Sequence, residues 1–534
     1  MLGSLFAFYQ KYFSIIFIFT IVLLVAFAWS QRFIQDDAFI SFRYAQNFIN
    51  GEGLVWNTNE RVEGYTNFLW TMLMSAGMIC EMNPITCSYF FGLLFFAISL
   101  IVTYKTARLL FKSHDSAFLI MLFLGLNYTF LAFATGGLET QMQTAFLVSC
   151  FYLTIKIMNI PQVGVINYLY LSIVLSLAVL IRLDSGIIVV PIVIFTVIKI
   201  YSQDSSTALK FKRIVTLFIP MALIIGTWFI WKLSYYGNIL PNTFYVKASA
   251  ITSPIKGLKY VSTFFFSYLL FPLAVISIFS GREIFKHRIS PFILINSVIG
   301  LWIIYLIKIG GDFMEFRFFV PILPFIFLLF GWTIFVFIKN RVYQWALALL
   351  IISGSVHHAL TFALDPDERI EPIQNLHNHL FAQDENWSGI GKSLRHYFNH
   401  IKNVTIGVTA AGAIPYYSGL PSIDMYGLND HYLAREGFLI GDTPGHQRMS
   451  PFNYLIKRGV NLIIAHPMVM KRTDEVKHFP ILPSSPNDKY FTIKVLEIPI
   501  DSLYKFLTLY LTPNSAVDSV IEQNNWKVHL ITKK

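Results

Sequence analysis

Eleven stretches of this chain are apolar over roughly the 20 residues that a membrane-spanning helix needs, and no water-soluble core can absorb so many. They cover about residues 12–30, 85–104, 116–134, 138–157, 166–182, 186–201, 214–234, 258–280, 289–308, 317–338 and 342–360. The remaining composition agrees. Only 13 % of the 534 residues are charged and 55 % are hydrophobic, whereas a soluble domain carries about 25 % charged residues. The sequence therefore predicts a polytopic α-helical membrane protein. The first run lacks a small-residue cleavage site and reads as a retained span. Phe68–Cys80 is apolar but short, and reads as a re-entrant or interfacial helix.

The net charge of +11 would suggest nucleic acid in a soluble protein. Here the basic residues fall in short loops between spans: Lys105, Arg108 and Lys112; Lys156; Lys199, Lys210, Lys212 and Arg213; Arg282, Lys286 and Arg288; Lys339 and Arg341. With the N-terminus cytoplasmic they all lie on the cytoplasmic side, as the positive-inside rule requires. Nucleic-acid binding is excluded as an explanation of the charge. The opposite loops hold the acids and glycines: GGLET at 136–140, RLDSG at 182–186, YYGNILPNTFYVK at 235–247 and GGDFMEFR at 310–317. Cys80, Cys87 and Cys150 make no disulfide framework.

Beyond about residue 360 no run is long enough to span. VTIGVTAAG (404–412) reads as a strand entering a turn, followed by a short segment at Ile414–Tyr417 and a strand near Ser422–Met425. A helix at 451–458 and strands at 460–465 and Tyr490–Ile498 follow. This predicts a transmembrane domain over 1–360, with a first external loop at 31–84, and a non-cytoplasmic α/β domain over 361–534.

The external loop is the unusual part. Asp36 and Asp37 directly follow the first span, and Arg43, Glu52, Glu60, Arg61 and Glu63 lie beyond them among Tyr44, Trp56, Tyr65 and Trp70. Such charges must lie in water or line a polar cavity, because an unpaired charge in hydrocarbon costs several kcal/mol. The two acids open a helical pattern (Phe39, Phe42, Ala45, Ile49) that stops at Asn50-Gly51, which predicts an amphipathic helix on the membrane surface. On the dipeptide alone, a capping acid beside a solvated one is the simpler reading. GLVWN and RVEGYTNFLW after it turn the balance toward chemistry: a carboxylate that takes a proton from a hydroxyl, or one that holds a divalent cation.

Arg43, Arg182, Lys247, Lys308 and Arg317 are candidates for a phosphate clamp, with snorkelling to the interface as the alternative for each. Glu139 follows a Gly-Gly pair, and Asp184 can pair locally with Arg182. Trp56, Tyr65, Tyr235 and Tyr236 can stack on sugar rings or form the interfacial aromatic belt. Asn242 can bind a head group or make a turn. DMYGLNDHYLAR (424–435) can present an acceptor or simply build its own domain. The spacing of His357-His358 and of His377 and His379 matches no zinc pattern. A transporter would place ionisable groups at the membrane midplane on broken helices. Here they sit at span ends, where a substrate with a greasy tail and a polar head would lie.

These motifs, in this order, resemble a family of polytopic glycosyltransferases that includes the mycobacterial terminal β-(1→2)-arabinofuranosyltransferase and bacterial relatives. The resemblance implies the glycosyltransferase C (GT-C) fold with a soluble cap domain after the spans. It implies a polyprenyl-phosphate sugar as donor and a cell-envelope glycan or glycolipid, such as lipopolysaccharide or a cell-wall glycan, as acceptor. The site would face the periplasm from a bacterial cytoplasmic membrane. The family's acidic motif falls on Asp36 and Asp37 and implies a catalytic carboxylate at one of them. Arg43, Glu63, Tyr65, Glu139, Arg182, Asp184, Asn242, Lys247, Asp312 and Arg317 fall on the other matched motifs, which implies that they surround the substrates. A transporter or flippase of lipid-linked sugars is the alternative from another class.

Overall fold

A computed structural model describes residues 2–160, 163–203, 205–248, 254–286, 290–364, 369–401, 403–441, 443, 445–479 and 491–533. The chain forms two compact units, and neither is continuous in sequence. The first comprises Met1–Phe33, Ile85–Ile230 and Ser253–Pro372, and the second Ile34–Pro84, Trp231–Thr252 and Ile373–Lys534. Compactness therefore divides the chain differently from the expected boundary at 360. The first external loop and the segment after residue 230 belong with the C-terminal sheet.

Each of the eleven apolar stretches contains helix, but fewer meet the length and apolarity of a crossing by themselves. Among the described residues six do so: Lys11–Ser30, Pro84–Phe111, Leu183–Ser202, Thr207–Tyr236, Pro291–Ile309 and Arg317–Phe337. A seventh is added if Pro254–Ser267 and Phe271–Gly281 count as one span, bent by 106°. The expected single helix over 258–280 is thus broken, and the one over 116–134 divides into His114–Gly125 and Tyr128–Ala132.

Both breaks expose backbone groups that hydrocarbon cannot satisfy, and the helix Arg341–Thr361 supplies partners to each. Ser355 Oγ donates to the Leu126 carbonyl at 2.7 Å and accepts from the Tyr128 N–H at 2.9 Å. His357 Nδ1 donates to the Ser267 carbonyl at 3.1 Å. Gly354 lets the Tyr268 carbonyl approach so closely that any Cβ would collide with it. The span Arg317–Phe337 is 83 % buried, against 11 % for Lys11–Ser30 and for Thr207–Tyr236. It forms the unit's interior, while the others present apolar side chains outward to lipid.

The second unit is built on a six-stranded sheet: β1 (Ile406–Val408), β2 (Ser422–Asp424), β5 (Leu462–Lys471), β6 (Phe491–Pro499), β7 (Tyr504–Tyr510) and β8 (Val528–Lys533), with β3 (Phe438–Leu439) and β4 (Arg448–Met449) as a separate pair. The order is β2-β1-β5-β7-β6-β8. β1 runs parallel to β2 and β5, and the remaining pairings are antiparallel. The expected strands near 404–408, 422–425, 460–465 and 490–498 are all present, and so is a helix at Phe452–Lys457.

The acid-opened helix runs Asp36–Ile49, as its spacing predicts, and ends at Asn50 and Gly51, whose φ is +83°. Its setting differs from the expectation. Ala38 to Ala45 are buried without interruption, so two turns are covered on every side rather than lying on a surface. Three helices of the same unit cover it: Phe68–Ile79, Ala413–Ser418 and Ile373–Phe381. Phe68–Ile79 has 12 residues, about 18 Å of helix, too short to span. Among the described residues Cys80, Cys87 and Cys150 form no disulfide with one another.

Candidate active site

Gln35 caps the acid helix in an extended conformation (φ −128°, ψ 165°), which places Asp36 and Asp37 in its first turn. The positive end of the helix dipole there favours negative charge. Asp36 is also grasped from the C-terminal half of its own unit. Its Oδ2 accepts the Gly412 N–H at 2.9 Å and its Oδ1 the Ala413 N–H at 2.7 Å. Those amides open the helix Ala413–Ser418, just after β1. Gly412 has no room for a side chain, because a Cβ would strike the Asp36 carbonyl and lie 2.7 Å from its Cγ.

Burial pushes the Asp36 carboxyl up to about 7, with Asp37 acting in the same direction and the two amides and His379 acting against it. That value suits a group exchanging a proton near neutral pH. His379 is itself fixed: its Nδ1 contacts Glu385 and its ring stacks on Trp387, centroids 4.6 Å apart at 9°. Gly412, Ala413 and His379 escape sequence reasoning. The strand-to-turn pattern of VTIGVTAAG is visible, but nothing local says which side chain its amides receive.

The other motif residues of this unit lie around the acid turn as buried supports. Arg43 donates from Nε to the Trp56 carbonyl at 2.7 Å and from Nη2 to Leu420 O at 2.9 Å and Asn57 Oδ1 at 3.2 Å, while Nη1 contacts Pro415 O. All three of its nitrogens are engaged by protein oxygens, and burial lowers its guanidinium to about 10. Trp56, 1 % exposed, lies under that guanidinium at 4.7 Å, with no face open to a sugar. Tyr65 is buried and shares a hydrogen bond with Tyr236 at 3.2 Å.

Glu63 pairs with the fully buried Lys232 at 2.9 Å, yet burial outweighs that pull and raises its carboxyl to about 7. Asn242 donates from Nδ2 to the carbonyls of Gly427 (2.8 Å), Leu428 (3.1 Å) and Asp430 (3.1 Å), and its own N–H reaches Glu63 O at 2.8 Å. Asn242 thus joins three of the motifs picked out in the sequence. Lys247 belongs to the helix Asn242–Ala248, and its side chain lies outside the described residues.

In the first unit, three motifs from different span ends form one polar cluster. Arg182 binds Asp184 through Nε (3.0 Å) and Nη2 (2.7 Å) and Glu139 through Nη1 (2.5 Å). Gln143 donates to Asp184 at 2.9 Å and to Ser185 at 3.1 Å. Arg317 binds Asp312 through Nε alone, at 2.7 Å. Both guanidiniums lie over the Phe318 ring, at 5.6 Å for Arg182 and 4.8 Å for Arg317. Gly310 and Gly311 make the turn after the span at φ +84° and +85°, and a Cβ on Gly311 would meet the Tyr260 ring at 2.6 Å.

His358 is buried in the first unit, stacked on Tyr268 at 4.1 Å and joined to Glu315 at 2.8 Å. Among the described residues no three His, Cys, Asp or Glu side chains are grouped as metal ligands, and both Asp36 oxygens already accept amides.

A family model described as a domain of unknown function (DUF8728) matches residues 375–515. Curated relatives named terminal β-(1→2)-arabinofuranosyltransferase match from Mycobacterium tuberculosis and Corynebacterium glutamicum. The first is 27 % identical over 326 residues, covering 54 % of this chain and 51 % of the relative. The second is 24 % identical over 335 residues, covering 54 % and 46 %. The chain thus spans about half the length of the curated relatives it matches.

Among solved structures, ArnT from Cupriavidus metallidurans bound to undecaprenyl phosphate superposes with a TM-score of 0.55 at 12 % identity, over 93 % of this chain and 98 % of that one. The oligosaccharyltransferase AglB from Archaeoglobus fulgidus, in complex with an inhibitory peptide and a dolichol-phosphate, gives 0.53 at 12 % identity, over 86 % and 70 %. The chain is therefore an integral membrane protein with the GT-C fold of these polytopic glycosyltransferases, and over about half its length it resembles the terminal β-(1→2)-arabinofuranosyltransferases.

Proposed function

We propose that the chain is a membrane glycosyltransferase. It would move a sugar, a pentofuranose such as arabinofuranose, from a polyprenyl-phosphate donor to an envelope glycan or glycolipid acceptor. The reaction would take place on the periplasmic face of the bacterial cytoplasmic membrane, where the C-terminal domain would also lie. The observation that carries the reading is the Asp36 carboxyl, held by two amides and raised to about 7. The curated relatives' name supplies the reaction class, and the lipid phosphates in the ArnT and AglB structures supply the donor class.

In this mechanism Asp36 takes the proton of the acceptor hydroxyl as that oxygen bonds to the anomeric carbon. The bond from that carbon to the phosphate oxygen breaks, and polyprenyl phosphate leaves. Asp37 keeps the first turn negative and raises the proton affinity of Asp36. Arg317 is the better phosphate ligand of the two clustered arginines, since its described side-chain hydrogen bond uses Nε alone while Arg182 is shared by two acids. Glu139, Asp184 and Asp312 orient those guanidiniums. Lys247 is a second phosphate candidate. Arg43, Trp56, Glu63, Tyr65 and Asn242 hold the loop that carries the acids.

Purified protein in detergent, given a synthetic polyprenyl-phosphate arabinofuranose and an arabinofuranosyl disaccharide, should form a new glycosidic bond. Movement of the lipid-linked sugar across sealed vesicles without bond formation would replace the enzyme with a flippase.

A further inference from the structure

The second unit carries an aromatic platform that the proposed chemistry does not use. Tyr432 stacks face to face on Tyr454, centroids 4.6 Å apart at 13°. Although one face is covered by that ring, Tyr432 remains 47 % exposed, so its other face opens outward.

The ring beneath is locked. Tyr454 OH donates to Asp430 Oδ2 at 2.8 Å and accepts from Arg458 Nη1 at 3.0 Å. Arg458 Nη1 also reaches Asp430 at 3.4 Å, and its Nη2 contacts Glu60. Asp430 is buried and spends Oδ1 on the Leu433 N–H at 2.9 Å. Tyr432 itself precedes the short helix Leu433–Glu436. An exposed ring normally gains rotamer freedom from solvent, whereas this one is backed by a fixed ring whose hydroxyl is committed.

Next to the Tyr454 hydroxyl, Arg458 and its partner Glu60 keep about a third of their side chains exposed, a fork of donors and a carboxylate with lone pairs beyond those given to Arg458 and Asn57. A flat apolar face next to paired donors and acceptors fits a sugar ring, whose C–H face packs on an aromatic while its hydroxyls exchange hydrogen bonds at the edge. A lipid surface would instead leave the Glu60 carboxylate against acyl chains, at a cost of several kcal/mol.

We propose that Tyr432, backed by Tyr454 and flanked by Arg458 and Glu60, is a binding site for an acceptor glycan, engaging a sugar of the chain away from the residue that reacts. The choice of glycan rests on the glycosyltransferase reading above. The site binds without reacting, so it lowers KM for long acceptors and leaves kcat unchanged.

The test uses the full-length protein in detergent with a linear arabinofuranosyl hexasaccharide and the matching disaccharide. Tyr432→Ala should raise KM for the hexasaccharide about tenfold, leave KM for the disaccharide and both kcat values as in wild type, and remove saturation transfer in NMR from protein to the hexasaccharide residues remote from its reacting end. Tyr432→Phe, which keeps the ring, should behave as wild type in all of these. An equal change for both acceptors, an unchanged KM for the hexasaccharide, or saturation transfer to the remote residues that survives Tyr432→Ala would overturn the site. Hexasaccharide binding that depends on Tyr432, in a protein that forms no glycosidic bond, would uphold the site and remove the enzymatic reading instead.

Discussion

The Asp36 carboxylate accepts the backbone N–H of Ala413 at 2.7 Å, across 377 positions of sequence, and the neighbouring Gly412 N–H completes the grip at 2.9 Å. A side chain in the external loop is thereby oriented by a helix start in the C-terminal domain. Neither piece is a site without the other, and their closeness explains why the loop at Ile34–Pro84 folds with the sheet.

Gly412→Ala tests that grip. The added Cβ would run into the Asp36 carbonyl, so the turn must move and carry the amides away from the carboxylate. Overpacking of this kind costs about 1–3 kcal/mol, and a displacement near 1 Å costs roughly 10²-fold in rate. The variant should elute as a folded monodisperse protein with a lowered thermal midpoint, and transfer about a hundredfold more slowly. A wild-type rate would mean that the grip does not position a reacting group.

The raised carboxyl of Asp36 fixes the sign of two pH effects. Its ordinary value is 3.8 and its folded value about 7, so the folded protein holds this proton more tightly than the unfolded chain. The stabilisation is fully present below about 4 and is lost as pH rises through 7. Asp36→Asn should therefore lose less stability than wild type between pH 4 and 7 in calorimetry. A base must be ionised, so transfer should rise with pH to a plateau above about 7. Glu63 also titrates near 7, and Glu63→Gln separates the two: the rate limb should persist in that variant. His379 lowers the Asp36 value, so His379→Gln should move the limb to higher pH.

Lys232 is fully buried against Glu63 at 2.9 Å. Removing one member of a buried pair costs about 3–5 kcal/mol because a charge stays behind. Glu63→Ala should lower the thermal midpoint sharply, and adding Lys232→Met should restore much of it. A double variant as unstable as the sum of the singles would show that the pair is not coupled.

Asn242 presents its amide to three carbonyls of residues 427–430. Asn242→Asp replaces the donor with a carboxylate facing those oxygens, and the unmet acceptors should cost about 1–3 kcal/mol. Limited proteolysis should then cut sooner within 424–435, whereas a pure substrate-binding role would leave cleavage unchanged and raise only KM.

Much of this architecture is legible in the residues because its causes are local. The spacing of Phe39, Phe42, Ala45 and Ile49 sets the helix, and the Asn50-Gly51 pair ends it. The helix's burial is not legible, because the elements that cover it, Phe68–Ile79, Ile373–Phe381 and Ala413–Ser418, lie elsewhere in the sequence. The breaks at Leu126 and Leu269 were hidden for a related reason. Each lies in an apolar run that reads as continuous, and each is made tolerable by Ser355, His357 and Gly354 on a later helix. The three first-unit motifs were recognisable as chemistry, and their gathering around Phe318 needed the fold. Arg43 and Trp56 carry the residue types of a binding site, yet their partners are internal. Residue type alone cannot separate a ligand's contact from a buried strut.

Transfer of arabinofuranose from a synthetic polyprenyl-phosphate donor, measured for wild type, Asp36→Asn, Asp37→Asn and the double variant at pH 8, addresses the central claim most directly. General-base help is worth about 10²–10⁴-fold, and the account predicts a loss in that range for Asp36→Asn in protein that remains folded. Wild-type rates in both single variants and in the double would contradict it.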